Sequence, residues 1–227
     1  MPSAHAPRFD ILGIGNAIVD VLAPVAEQFI SKHDMRKGSM TLIDAARAEA
    51  IYAAMPPGQE TSGGCAANTC AAAAGLGARV AYLGRVADDQ LGAVFRHDIA
   101  AAGVHFPTAP LVGGAPTARC MILVTPDAQR TMNTFLGACV AFGVEQVDEA
   151  VVGDAAVTYM EGYLYDEPAA MAAFRHAASV AHAAGRKVSL SLSDSFCVDR
   201  YRGEFLDLMR KATVDLIFAN EAELKSL

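Results

Sequence analysis

Apolar residues in this chain fall in short blocks that alternate between strand-like and helix-like spacing. Phe9-Asp10-Ile11-Leu12-Gly13-Ile14-Gly15 is nearly all apolar and ends on glycine, the pattern of a strand buried on both faces. Ile18 to Val25 is a second extended stretch, stopped near Pro24, and Ser39 to Ile43 is a short third one. Asp44 to Met55 reads as a helix that Asp44 can cap and Pro56-Pro57-Gly58 ends. Gly64 to Leu76 is alanine-rich and predicts a helix closing around Gly75 and Gly77. Val80 to Gly84 predicts a strand, and Asp89 to Ala102 a helix closed by Gly103. This alternation implies a parallel sheet with right-handed helical crossovers.

The rhythm breaks between Val104 and about Val140, where no helical pattern stands out. Arg119 to Val124 and Thr131 to Leu136 are extended runs flanking the turn Thr125-Pro126-Asp127-Ala128-Gln129. A β-hairpin is therefore expected inside an α/β chain, forming with Ile18 to Ile43 a small separate sheet. Alternation then resumes. Ala155 to Met160, Lys187 to Leu192 and Val214 to Phe218 predict strands, while Pro168 to Ala184 and Glu204 to Lys211 predict helices. Asn220-Glu221-Ala222-Glu223 opens a last helix, and Leu227 falls in its second turn. So short a helix is marginal alone, so the sequence is expected to continue in a longer protein.

Composition narrows the class. The 227 residues are 53% hydrophobic and 19% charged, which is globular and leaves room for a full core. The net charge of -7, with no run of Lys or Arg, argues against a nucleic-acid partner. Five cysteines without CxxC spacing suggest reduced thiols in a cytoplasmic protein. No apolar stretch reaches the roughly 20 residues of a membrane span, and no leader pattern opens the chain. HExxH, GxSxG and GxxxxGK[ST] do not occur, which leaves zincin, α/β-hydrolase and P-loop chemistry without their motifs.

Four constellations carry candidate chemistry. Gly15-Asn16 with Asp20 places an amide and a carboxylate after a strand, at the edge where open α/β sheets bind ligands. A carboxylate there can accept from two neighbouring hydroxyls of a sugar, or be a solvated loop residue. Gly13-Ile14-Gly15 opens like a dinucleotide fingerprint, but Ile18 replaces its third glycine and no helix follows. Gly63-Gly64 at a helix start lets a ligand approach free N–H groups, with Asn68 one turn along; an ordinary glycine turn is the alternative. Arg119 and Arg130 on the hairpin suit a phosphate or carboxylate, or are solvated charges. Asn220 with Glu223 has the spacing of a capping box and, equally, of a carboxylate ordering a metal-bound water.

In this order and spacing, the four constellations resemble the ribokinase-like (PfkB) carbohydrate kinase family over Asp10 to Leu227, and within it most the adenosine kinase branch, bacterial members in particular. Gly77 with Asp88-Asp89 and Gly92, and Glu161-Gly162-Tyr163, add to the likeness. The resemblance implies a Rossmann-like, doubly wound α/β sheet flanked by helices, with a small β-sheet lid. Residues 1–15, 44–104 and 141–227 would form the α/β part, and 16–43 and 105–140 the lid. It implies transfer of the ATP γ-phosphate, with Mg²⁺, to the 5′-hydroxyl of a nucleoside such as adenosine. A fructokinase- or ribokinase-like acceptor and a non-catalytic nucleoside- or sugar-binding domain are the alternatives.

By the same resemblance Asp20, Asn16, Gly63, Gly64 and Asn68 bind the acceptor and Tyr163 stacks on its base. Arg130 lies near the transferred phosphoryl. Asn220 and Glu223 sit by the phosphates, with Glu223 reaching the metal through water. Nucleic acid and membrane are not expected partners, and the protein would be a monomer or a homodimer. Cys70 and Ala87 depart from the first family signature but are small. The second signature, a GAGD-like loop whose aspartate takes the hydroxyl proton, is absent, so that general base is expected beyond Leu227.

Overall fold

The computed structural model describes residues 6–227, which fold around two sheets. Their strands, in chain order, are β1 (Phe9–Ile14), β2 (Ile18–Pro24), β3 (Met40–Leu42), β4 (Gln59–Gly63), β5 (Val80–Leu83), β6 (Val104–His105), β7 (Ala118–Val124), β8 (Arg130–Phe135), β9 (Ala155–Glu161), β10 (Lys187–Ser191) and β11 (Leu216–Phe218). The helices are α1 (Glu27–Lys32), α2 (Ala45–Ala54), α3 (Cys65–Gly75), α4 (Gln90–Ala101), α5 (Glu149–Gly153), α6 (Pro168–Ala183), α7 (Ser195–Arg210) and α8 (Glu221–Ser226).

The larger sheet is parallel throughout, in the order β11-β10-β9-β1-β5-β6. Successive side chains leave a strand on opposite faces, so neighbouring residues enter different cores. Leu83 joins Leu12, Ile14, Met160, Phe174 and Phe205 on the face covered by α5, α6 and α7, while Tyr82 joins Cys70, Phe95 and Ile99 under α3 and α4. This is a doubly wound sheet, as expected. Phe95, Phe174 and Phe205 are fully buried, and truncating any one to Ala would cost about 3–5 kcal/mol.

The smaller sheet is mixed, in the order β3-β8-β7-β2-β4. One face packs on helices: Val19 and Val21 meet Phe95 of α4, Met121 meets Ala48 and Ile51 of α2, and Leu123 meets Ile30 of α1. Its strand β4 has no counterpart in the sequence reading. Gln59-Glu60-Thr61-Ser62 is polar and pairs with β2 through backbone alone, so no apolar alternation marks it. Helix α7 begins nine residues before the expected Glu204, capped by Asp194, whose carboxylate accepts from the Cys197 N–H at 2.6 Å. Non-helical geometry at Tyr201 and the following Gly203 hide that first half from a propensity reading.

Strand β1 lies between β5 and β9. From it the chain winds outward to β5 and β6, then returns to build β9, β10 and β11 on the other side. The reversal point, between the carboxyl ends of β1 and β9, is where a crevice opens in sheets of this type. Both β1 to β2 and β4 to α3 cross between the sheets there, and Ile18 pairs with Gly63 where they cross.

Candidate active site

Every sequence-predicted acceptor residue except Asn68 and Tyr163 meets another at that crossing. Gly64 is the N-cap of α3 with φ of +95°, a conformation that favours glycine. A Cβ there would come within 2.2 Å of the Asn16 carbonyl oxygen, so the glycine also permits the contact between the two connections. At Gly63 a Cβ would lie 2.3 Å from Asp20 Oδ2. The two glycines therefore serve different needs: one holds the backbones together, the other leaves room for a carboxylate. Asp20 is half-buried, and burial alone raises its pKa from 3.8 to about 6. Asn68 is exposed on α3, one turn beyond Gly64, whose carbonyl accepts its backbone N–H at 2.9 Å as part of the helix.

Sequence reasoning marked Glu161 only as part of the family likeness and gave it no role, yet it is the centre of this cluster. Glu161, the last residue of β9, is only 2% exposed. Its Oε2 accepts from the Ala66 N–H at 3.0 Å, and its Oε1 from Asn16 Nδ2 at 3.4 Å. Gly64 has no side chain to cap α3, so a carboxylate distant in sequence accepts one of the free N–H groups of its first turn. Gly15 makes room for it, since a Cβ there would lie 2.5 Å from Glu161 Oε2. Burial pushes Glu161 up to about 7 against the lowering effect of these hydrogen bonds. A lone Glu after a strand carries no local signal of this role.

Tyr163, next along the same edge, donates its hydroxyl to Asp194 Oδ2 at 2.8 Å and its N–H to Ser193 Oγ at 3.3 Å. Burial, and then the Asp194 contact, raise its pKa far above the ordinary value. Asn220 and Glu223 form the capping box of α8 at the end of β11. Asn220 Oδ1 accepts from the Glu223 N–H at 2.9 Å, and Glu223 accepts from the Asn220 N–H at 3.0 Å and Nδ2 at 2.7 Å. β11 lies two strands from β9, so the box is about 10 Å along the edge from Glu161.

Among the described residues no group of three or more His, Cys, Asp or Glu is arranged to hold a metal. Mg²⁺ keeps several waters and takes its other ligands largely from substrate phosphates, so a lone buried carboxylate suits an outer-shell role.

The two arginines separate. Arg119 is buried, pairs with Glu49 and lies 5.1 Å over the Tyr52 ring, tying β7 to α2. Arg130 is exposed at the turn end of the hairpin, paired with Val124 and level with Pro24, four positions along the ladder from Asp20. The structure does not bring it beside the Asp20 cluster.

A doubly wound sheet with a ligand crevice at its reversal point and a second, one-face-covered sheet beside it is the ribokinase-like architecture. The profile described as pfkB family carbohydrate kinase matches residues 38–227, and the chain belongs to that family. Similar solved structures include adenosine kinase from Sinorhizobium meliloti, 56% identical with a TM-score of 0.89, covering 96% of this chain and 67% of that one. A probable sugar kinase protein from Rhizobium etli CFN 42 is 55% identical with a TM-score of 0.90, covering 97% of this chain and 67% of that one. Among curated relatives, the ATP-dependent ribose-1-phosphate kinase of Halopiger xanaduensis is 32% identical over 171 residues, 74% of this chain. The alignment spans 53% of that relative's length.

Proposed function

We propose that this chain supplies the acceptor site of an ATP-dependent phosphotransferase that moves the γ-phosphate to the 5′-hydroxyl of a nucleoside, adenosine in the first place. The observation that carries this reading is the open face of the smaller sheet. Asp20 stands on it, level with Cys120 and Thr134, and beside it lie Leu22, Ile122 and Met132 in the next ladder row. Leu22, Met40 and Leu42 on the same sheet are 41%, 43% and 52% exposed. A carboxylate for ribose hydroxyls next to an apolar wall matches a nucleoside better than a free sugar, which has no base to cover.

On this reading Asp20 accepts hydrogen bonds from the two ribose hydroxyls. Asn16, Gly63, Gly64 and Asn68 line the same mouth, and Tyr163, its hydroxyl already held by Asp194, offers its ring to the base. ATP and Mg²⁺ are the co-reactants. The metal supplies neutralisation of phosphate charge, and Asn220 with Glu223 would hold its outer water shell. Arg130 would approach the transferred phosphoryl from the second sheet. The aspartate that takes the hydroxyl proton is assigned beyond Leu227. We place the enzyme in the cytoplasm, as a monomer or a homodimer. Positioning and charge neutralisation dominate phosphoryl transfer, so a preformed acceptor site is the main contribution of these residues.

The likeness to a probable sugar kinase favours a fructose- or ribose-type acceptor as the second reading. The test is turnover by the protein with its complete reading frame, with Mg-ATP and a panel of adenosine, ribose and fructose. Adenosine is expected to be used best. Turnover of sugars alone moves the assignment to the sugar kinase, and no turnover of any acceptor overturns the kinase reading. Asp20→Ala is expected to weaken adenosine binding by about 1–3 kcal/mol in calorimetric titration, the cost of unpaired hydroxyls. Unchanged affinity would show the acceptor site to be elsewhere.

A further inference from the structure

The smaller sheet joins the rest of the chain not only at the Ile18–Gly63 rung but also at the entry to β7 and the exit from β8. At the entry, Thr117 is 1% exposed. Its N–H donates to Asp89 Oδ2 at 2.8 Å and its hydroxyl to Asp89 Oδ1 at 2.6 Å. The same hydroxyl oxygen accepts from the Ala87 N–H at 2.9 Å. Asp89 is the N-cap of α4, and its Oδ1 also accepts from the Gly92 N–H at 2.8 Å. That last bond is all a cap needs; the rest of the carboxylate is spent on a residue 28 positions away. Gly92 permits the arrangement, since a Cβ there would lie 2.0 Å from the Ala87 carbonyl oxygen and 3.1 Å from Thr117 Oγ1. The exit from β8 is tied to the same place: the Ala138 N–H donates to the Pro116 carbonyl at 2.8 Å, and a Cβ at Gly137 would lie 2.1 Å from that oxygen. Ala118, next after Thr117, pairs with Ile18, and two residues further Cys120 is level with Asp20. Asp20 therefore rides on a strand whose neighbour is fastened about 10 Å away.

We propose that Asp89 and Thr117 form a pin that fixes the smaller sheet on the start of α4 and thereby sets the place of Asp20 against the glycine turn. Both are positioning residues for acceptor binding: neither touches the acceptor, and they act through the β7–β2 ladder. The pin needs a carboxylate at 89. Each of its oxygens faces a backbone N–H, so an amide would have to set its NH2 against one of them. A hydrogen bond weakens steeply outside a narrow range of distance, so a shift of about 1 Å at Asp20 is enough to lose one. The inference rests on the acceptor site proposed above and adds the element that holds it in register.

The test is a double-mutant cycle read by calorimetric titration of the full-length protein with adenosine, which needs no turnover. Thr117→Val keeps the shape of the side chain and removes its hydroxyl, leaving the Ala87 N–H without an acceptor. It is expected to weaken adenosine binding about tenfold, the scale of one hydrogen bond lost at the acceptor. Thr117→Ser keeps the hydroxyl and is expected to bind within about twofold of the unaltered protein. In an Asp20→Ala background, Thr117→Val is expected to change affinity by no more than about twofold, because the group it displaces is already gone. Asp89→Asn should follow Thr117→Val in both backgrounds and takes its place if the valine variant does not fold. Gly185→Ala, at the amino-terminal edge of the larger sheet, serves as a destabilised control and should bind adenosine normally. Unchanged affinity in the folded pin variants overturns the inference, as does an equal loss with and without Asp20, or a matching loss in Gly185→Ala. In each of these cases adenosine still binds the unaltered protein, so the acceptor reading stands. Failure of the unaltered protein to bind adenosine would instead remove that reading and this inference with it.

Discussion

Glu161→Gln has a consequence for folding that can be worked from the site. The glutamate carboxyl sits without a cation in the interior, and burial raises it from the ordinary 4.5 to about 7. A folded-state pKa above the unfolded one means the folded chain holds the proton more tightly. The stabilisation is full below pH 4.5 and is lost as pH rises to 7. At about 1.4 kcal/mol for each tenfold change, the whole loss is about 3 kcal/mol, most of which falls between pH 5 and pH 8. Glutamine does not titrate, so the variant escapes this loss. The stability of Glu161→Gln minus that of the unaltered protein should therefore rise by about 2–3 kcal/mol from pH 5 to pH 8. Taking the difference cancels Asp20, which titrates in both proteins. The assay is urea unfolding at several pH values, followed by far-ultraviolet circular dichroism because the chain has no tryptophan. Two stability curves that run parallel across this range would refute the assignment of Glu161 as a buried, uncompensated carboxyl.

Gly64→Ala should cost roughly 2–4 kcal/mol, because a positive φ and a collision with the Asn16 carbonyl act together. Gly185→Ala, with φ of +71° and nothing within 4 Å of the added Cβ, should cost about 1–2 kcal/mol, and equal losses in thermal melts would discount the collision. Glu223→Ala in the full-length enzyme is expected to lower kcat by about tenfold or more, the scale of a lost charge contact to reacting phosphates, with little change in nucleoside KM. A loss of stability with kcat intact would leave Glu223 as a helix cap only.

What could be read from the chain beforehand was what local chemistry announces. Gly63-Gly64 before an alanine-rich helix, Asp20 just past a glycine-ended strand and the Asn220–Glu223 spacing each have a cause within a few residues, and the last is a capping box in the fold. Glu161 has no such cause. Its partners Ala66 and Asn16 lie 95 and 145 residues away, and only the winding of β1 next to β9 brings them to it. Strand β4 was illegible for the opposite reason: it is an edge strand, held by backbone pairing to β2, and its polar side chains carry no period. Arg119 and Arg130 look alike in sequence, yet one is buried against Glu49 and Tyr52 and the other is exposed, because the hairpin inserts its two ends into different surroundings.

The rung between Ile18 and Gly63, where both connections cross from one sheet to the other, has a mechanical meaning. Any rotation of the smaller sheet about that rung treats its strands as levers of unequal length. Asp20 lies two residues from the rung, about 7 Å, whereas Arg130 is level with Pro24, six residues or about 20 Å away. A turn of about 20° would shift Asp20 by roughly 2 Å and the Arg130 end by roughly 7 Å. A hydrogen bond made by Asp20 at the short arm would have to be remade over a distance of roughly 2 Å, while the long arm crosses the span of an ion pair.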